Sequence, residues 1–337
     1  MTCKSAGRVR ARNGRRQECA PLWLVDWSDS EDDDFRQAWR DAEIESRVVR
    51  VRPTGPHFGA RWGRLRNWPR YIELAARGVA MARGAPIVAW QPVSGAAASM
   101  LPSRRSSPVV LLNALLDVQP TSRRQQMLLA GARRADHNIF YSRAALKGAL
   151  DLGIAPSKAT FLPLGAPARR HTVLPPGGYL LAAGRSCRDW ETLVRAAEGL
   201  GAEIRVMGPP RLPGVASVRV VPQVSREGFL AMLEGAVALV VPLHRTDRTA
   251  GQLAVLDAMS VGRAVVATRS QGTEDYVDEG TGILVPPHEP LALRDALRRI
   301  LQPGVAKELG EAALEAVKGR LSLERFVRDV DTLATEA

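Results

Sequence analysis

Short apolar runs alternate with longer amphipathic stretches along most of this chain. Residues 21–27, 47–51, 87–90, 108–112, 138–141 and 159–164 are apolar but too short for helices, and they read as buried strands. Between them, residues 35–42, 67–83, 94–101, 123–134 and 143–152 carry helical spacing, and Gly84-Ala85-Pro86 ends the second of these helices. The pattern restarts after residue 178. Residues 179–183, 203–207, 218–221, 237–243, 264–268 and 282–285 read as strands, and 290–301, 305–318 and 323–334 as closing helices. Strands that alternate with helices in this way predict an α/β fold with parallel, doubly wound sheets.

Residues 165–178 hold Pro167, Pro175 and Pro176 with Arg169, Arg170 and His171, and read as a linker. Four segments follow: a basic disordered arm at 1–20, a first domain at 21–170, a second at 171–318, and a final helix at 319–337. A chain of 337 residues with 45% hydrophobic content has room for two cores. Cys3, Cys19 and Cys187 are odd in number and widely spaced, which argues against a disulfide framework or a cysteine metal site. The basic N-terminus lacks an apolar signal core, and no apolar run approaches the length of a membrane span, so a cytoplasmic protein is expected. The net charge of +12, mostly Arg, could serve an acidic partner. No zinc-finger spacing, aromatic RNA-binding run or basic heptad region is present, so no nucleic acid is expected.

Residues 249–268 carry the most chemistry. They read as a loop, a helix from about Gly251-Gln252, a tight glycine turn and a core strand, with Leu253, Leu256, Ala258 and Met259 facing inward. A glycine loop that opens a helix presents free amides and a positive dipole end, which suits phosphate. Asp257 lies about two turns in, where a carboxylate can accept sugar hydroxyls. Arg185 and Arg188 flank a glycine loop at the end of the strand 179–183, where ligands of open α/β sheets bind. Guanidinium groups suit a diphosphate; a solvated Arg pair beside Asp189 is the plainer alternative.

Residues 249–268 resemble the C-terminal domain of family 4 GT-B glycosyltransferases, retaining enzymes that use nucleotide sugars. That family carries a Glu, seven residues, then a second Glu followed by Ala-Met; Thr249 and Asp257-Ala258-Met259 stand at those places. Residues 270–277, 280–287, 180–190 and 224–230 are similar to further family segments, so the likeness is good over 178–290 and thin over the first 170. The resemblance implies two Rossmann-like domains, an N-terminal one for the acceptor and a C-terminal one for the donor, with the last helix returning to the first domain. It implies Arg185, Arg188, Gly251 and Gln252 at the donor diphosphate, Asp257 at the ribose, Thr249 at the transferred sugar and Gln223 near the nucleobase. Thr249 departs from the family's first Glu, and Gln252 could take over part of its contact. The family's His in the first domain has no counterpart after the strand at 108–112, and catalytic residues stay unassigned.

Asp32-Asp33-Asp34 imitates the metal-binding Asp-x-Asp of GT-A transferases. Acidic residues crowding the first turn of a helix explain it better, and no metal or other cofactor is expected beyond the nucleotide sugar. His57 could face the cleft or be a surface residue, and His137 reads as packed or capping. Arg61, Trp62, Arg64, Arg66, Trp68, Arg70, Tyr71, Arg77 and Arg83 suit an anionic bilayer surface or an anionic acceptor, with a solvated helix face as the plainer alternative.

The expectation is a metal-independent, retaining glycosyltransferase that passes a sugar from a nucleotide diphosphate to an acceptor hydroxyl. The acceptor is a small molecule, glycan or lipid, with peripheral contact to anionic membrane as a further expectation. Alternatives are a degenerate GT-B protein that binds without turnover, a nucleotide-sugar epimerase, and a surface binder acting through charge alone.

Overall fold

The computed structural model describes residues 20–337 apart from 27–28, 52–60, 103–105, 174, 176, 185, 209–211, 213 and 246–248, and apart from the side chains of 29–30 and 61–67. Its elements run β1 (Leu22–Val25), α1 (Asp29–Asp41), β2 (Arg47–Arg50), α2 (Arg61–Ala82), β3 (Ile87–Ala89), α3 (Pro92–Met100), β4 (Val109–Leu112), α4 (Arg123–Arg134), β5 (His137–Phe140), α5 (Arg143–Asp151) and β6 (Ala159–Phe161). The second series is β7 (Tyr179–Ala183), α6 (Trp190–Ala197), β8 (Glu203–Met207), β9 (Val218–Val221), α7 (Arg226–Glu234), β10 (Ala236–Val241), α8 (Gln252–Ser260), β11 (Ala264–Thr268) and β12 (Gly282–Val285). The helices α9 (Pro290–Ile300), α10 (Val305–Lys318) and α11 (Leu323–Glu336) close it.

Each series builds one six-stranded parallel sheet, in the orders β2-β1-β3-β4-β5-β6 and β12-β11-β10-β7-β8-β9. Both are doubly wound, as the alternation predicts. The winding reverses between β1 and β3 in the first sheet, and between β7 and β10 in the second. Parallel strands covered on both faces need apolar residues on both faces. In β1, Leu22 and Leu24 join Leu74, Val79, Ile87 and Leu111 on one side. Trp23 meets Phe35 and Trp39 on the other.

Two compact units result: residues up to Leu162 together with Leu323–Ala337, and Pro163–Ser322. The last helix therefore belongs to the first unit. Leu323, Phe326, Val327 and Val330 of α11 are buried, and the Phe326 ring lies 5.9 Å from Tyr141 and 6.5 Å from Phe35.

Three details differ from the sequence-based expectations. Helix α1 begins at Asp29 and not at 35, so the acidic run lies inside it, where Asp32 accepts from Arg36 Nε at 2.8 Å. Helix α2 begins at Arg61 and takes Pro69 into its interior. Leu253 is 56% exposed while Leu256, Ala258 and Met259 are buried. The apolar residues of α8 are spread around much of its circumference, so spacing could not single out the inner face.

Candidate functional site

The second sheet's switch point, between β7 and β10, is where an open α/β sheet offers a crevice at its carboxyl edge. The loop after β7 turns on Gly184, whose φ of +118° favours glycine. A Cβ there would run into the Arg188 guanidinium. Arg188 is itself buried. Its Nε donates to Ala183 O at 2.8 Å and its Nη1 to Ser186 O at 2.9 Å. Burial pushes its pKa down to about 10, which still leaves it charged at neutral pH. Arg188 is thus committed to the backbone of its own loop. Arg185 lies outside the described residues.

The loops after β7 and β10 are fastened together. Arg188 and Leu243 form an antiparallel bridge. Asp189 N donates to Pro242 O at 3.0 Å and His244 N to Cys187 O at 2.9 Å. Beyond them, Gly251 caps α8 in the left-handed region (φ 92°), with no side chain capping the helix. The amides of a helix's first turn have no intrahelical acceptors, so they and the dipole face whatever lies before the helix. A Cβ at Gly272 would overlap the Ala250 backbone, so this approach is close on both sides. Gln252 is buried and Thr249 half-buried at the same end.

Asp257 is buried within α8, and its Oδ1 accepts from Arg226 Nη2 at 2.8 Å. Arg226 opens α7, whose N-cap Ser225 accepts from Gly228 N at 3.2 Å. Gln223 is exposed between β9 and α7. The ion pair therefore ties the start of α7 to the second turn of α8. Sequence reasoning missed Arg226. Its only signal was a basic residue directly after a helix-opening Ser.

The first sheet's switch point holds a second polar cluster. Asp26, buried just after β1, accepts from Tyr71 Oη at 3.0 Å and from Gln91 Nε2 at 2.5 Å, both at Oδ2. Burial, reinforced by Asp26, drives the Tyr71 hydroxyl far above its ordinary pKa, so it stays a donor. Asp26 was not anticipated either, because it hid inside a run that reads as strand. His137 lies in β5 with Nε2 2.9 Å from Thr160 Oγ1, a packed residue whose burial lowers its pKa. His57 lies outside the described residues.

Residues 183–303 match the family model described as glycosyl transferases group 1. That stretch holds the Gly184 loop, Arg226, the α8 N-terminus and Asp257. The matched stretch lies within the second unit. Relatives of the chain include D-rhamnosyltransferase WbpZ of Pseudomonas aeruginosa, 26% identical over 140 residues, which are 41% of this chain and 36% of that protein. The match thus spans about a third of that relative's length. Among solved structures, sucrose-phosphate synthase from Thermosynechococcus elongatus aligns with TM-score 0.72 at 19% identity, over 94% of this chain and 98% of that one. Anabaena HepE, solved with UDP and glucose, aligns with TM-score 0.70 at 16% identity, over 95% and 100%. The two doubly wound sheets and these alignments over nearly the whole chain give it the GT-B fold.

Proposed function

We propose that this chain moves a sugar from a nucleotide-diphosphate donor to an acceptor hydroxyl, with retention and without a metal in the transfer step. The observation that carries this is the Gly184 loop and the Gly251-capped helix at one carboxyl sheet edge, both inside the matched glycosyltransferase domain. HepE, whose structures hold UDP and UDP-glucose, supports a nucleotide-sugar donor.

In this reading the first-turn amides at Gly251 and Gln252 take the donor diphosphate. They stabilise the charge that develops as the sugar–phosphate bond breaks. Arg185 adds a bidentate cation, and Arg188 holds the loop that presents it. Asp257 accepts from the ribose hydroxyls while Arg226 fixes its rotamer, Gln223 lies by the base, and Thr249 meets the transferred sugar. In the same reading the first unit binds the acceptor. No helix among the described residues is long and apolar enough to cross a membrane.

A thermal-shift screen against UDP, GDP, ADP and TDP sugars tests the donor, since a ligand of the folded state alone raises its stability. No shift with any nucleoside diphosphate would refute the proposal. One observation favours a second reading: Thr249, uncharged and short, stands where family members carry Glu. A degenerate binding protein would show donor stabilisation with no sugar release, whether acceptors were added or not.

A further inference from the structure

Three loops at the carboxyl edge of the second sheet bring together one carboxylate and two imidazoles. Asp189 follows β7, His244 follows β10 and His288 follows β12. His288 Nδ1 lies 2.8 Å and His244 Nδ1 3.5 Å from Asp189 Oδ2. One ligand atom from each residue lies within 4.8 Å of the other two. The two rings are 5.5 Å apart and tilted by 36°.

We propose that Asp189, His244 and His288 bind one divalent transition-metal ion of the Zn2+ kind. Two imidazoles and a carboxylate suit Zn2+, Co2+ or Ni2+, whereas Mg2+ and Ca2+ prefer all-oxygen sites. Ligands about 2.0–2.2 Å from a tetrahedral ion lie roughly 3.3–3.6 Å from one another; the His244–Asp189 pair is already at 3.5 Å, and the His288–Asp189 pair, at 2.8 Å, opens by roughly half an ångström when an ion enters. Three protein ligands leave a position open for water or another donor.

The arrangement is held in advance. Asp189 is buried, and it accepts from Thr192 N at 3.0 Å on Oδ1 and from Thr192 Oγ1 at 2.8 Å on Oδ2. Such outer contacts orient a ligating carboxylate. Burial opposes its ionisation, but the Thr192 bonds and the two imidazoles outweigh this and keep the carboxyl below its ordinary pKa. His244 is fixed through its amide to Cys187 O, and His288 is held at a φ of 60°, costly for a non-glycine residue. Both imidazoles are 53% exposed, so an ion has a path in.

Binding has a proton balance. The ion takes the Nδ1 lone pair of each ring, so each imidazole binds as the neutral ring with its one proton on Nε2. With Nε2 protonated, the contact from Arg245 N at 3.5 Å is given up. The ion would fasten the three loops, and the transfer step proposed above does not require it.

The test uses the tag-free full chain, stripped with EDTA and titrated with ZnCl2 alone at micromolar concentration, with bound metal counted after equilibrium dialysis. One Zn2+ per chain is expected. His244→Ala and His288→Ala should each weaken it roughly tenfold or more, as loss of a ligand does. Cys187→Ser should leave binding intact, and the Co2+ form should show visible d–d bands without a thiolate charge-transfer band. Both histidines are exposed, and circular dichroism checks that the variants fold. Absence of saturable binding, binding that survives loss of both histidines, or binding that disappears with Cys187 would each overturn the assignment. Because no nucleotide is present, none of these outcomes bears on the sugar-transfer proposal.

Discussion

Removing the Asp257 carboxylate should have two separable effects. Its partner Arg226 has a side chain 31% exposed, while that of Asp257 is 11% exposed. The pair therefore falls between a surface ion pair, worth about 0–1 kcal/mol, and a buried one, which costs about 3–5 kcal/mol when broken. Asp257→Ala should lower stability by about 1–3 kcal/mol, or roughly 3–10 °C in melting temperature for a unit of this size. Arg226→Ala should cost a similar amount, and the double variant should cost less than the sum, with coupling of about 0.5–3 kcal/mol. Nucleotide binding separates the two. If Asp257 accepts from the ribose, Asp257→Ala loses a charge-assisted hydrogen bond of about 1.5–3 kcal/mol, or roughly 10- to 150-fold in affinity for a free nucleoside diphosphate. Arg226→Ala keeps the Asp257 carboxylate in place and should leave that affinity within a few-fold. Calorimetric titration with UDP, or with whichever diphosphate the screen selects, reads both. An Asp257→Ala protein that melts early yet binds the nucleotide as tightly as the parent would refute the ribose role and leave the pair as a clasp between α7 and α8.

Other perturbations reach neighbouring parts of the site. Gly251→Ala should destabilise by about 1–2 kcal/mol through its left-handed backbone, and its Cβ would press within 3.1 Å of Val241 Cγ1. Donor affinity should fall with it, and an unchanged melting temperature would sink the strain argument. Arg185→Ala should weaken diphosphate binding without loss of fold. Arg188→Ala should lower both, because its guanidinium supports Ala183 O and Ser186 O; equal melting temperatures for the two variants would contradict this. If residues 61–83 meet anionic lipid, the protein should cosediment with anionic vesicles at low salt and release as salt rises. Each basic residue contributes roughly 1 kcal/mol within a Debye length. Arg64→Glu with Arg66→Glu should abolish the effect, and a wild-type protein that ignores such vesicles removes the lipid reading.

Strands were the most legible elements, because a parallel strand covered on both faces is a continuous apolar run with polar ends. Residues 179–183, 203–207, 218–221, 264–268 and 282–285 read from sequence with the bounds they have in the fold. Helix starts were less legible. At α1 the acidic run read correctly as a first helical turn, yet the apolar pattern alone put the start at residue 35, six positions after Asp29. Contacts between distant residues were invisible. Arg226 with Asp257, Asp26 with Tyr71 and Gln91, and Asp189 with two histidines each join side chains more than thirty positions apart. Spacing carries information within one element, but these pairs depend on which strands become neighbours.

The placement of α11 sets an order of assembly. The strands of the first sheet all precede residue 162, yet the Phe326 that meets Phe35 and Tyr141 comes after the whole second unit. On the ribosome the first unit is made first, but it must wait for its last hydrophobic plug. During that interval the aromatic surface around Phe35, Trp90 and Tyr141 lacks the ring that later covers it. The second unit has all its strands and helices in one uninterrupted stretch and can finish folding ahead of the unit that began before it.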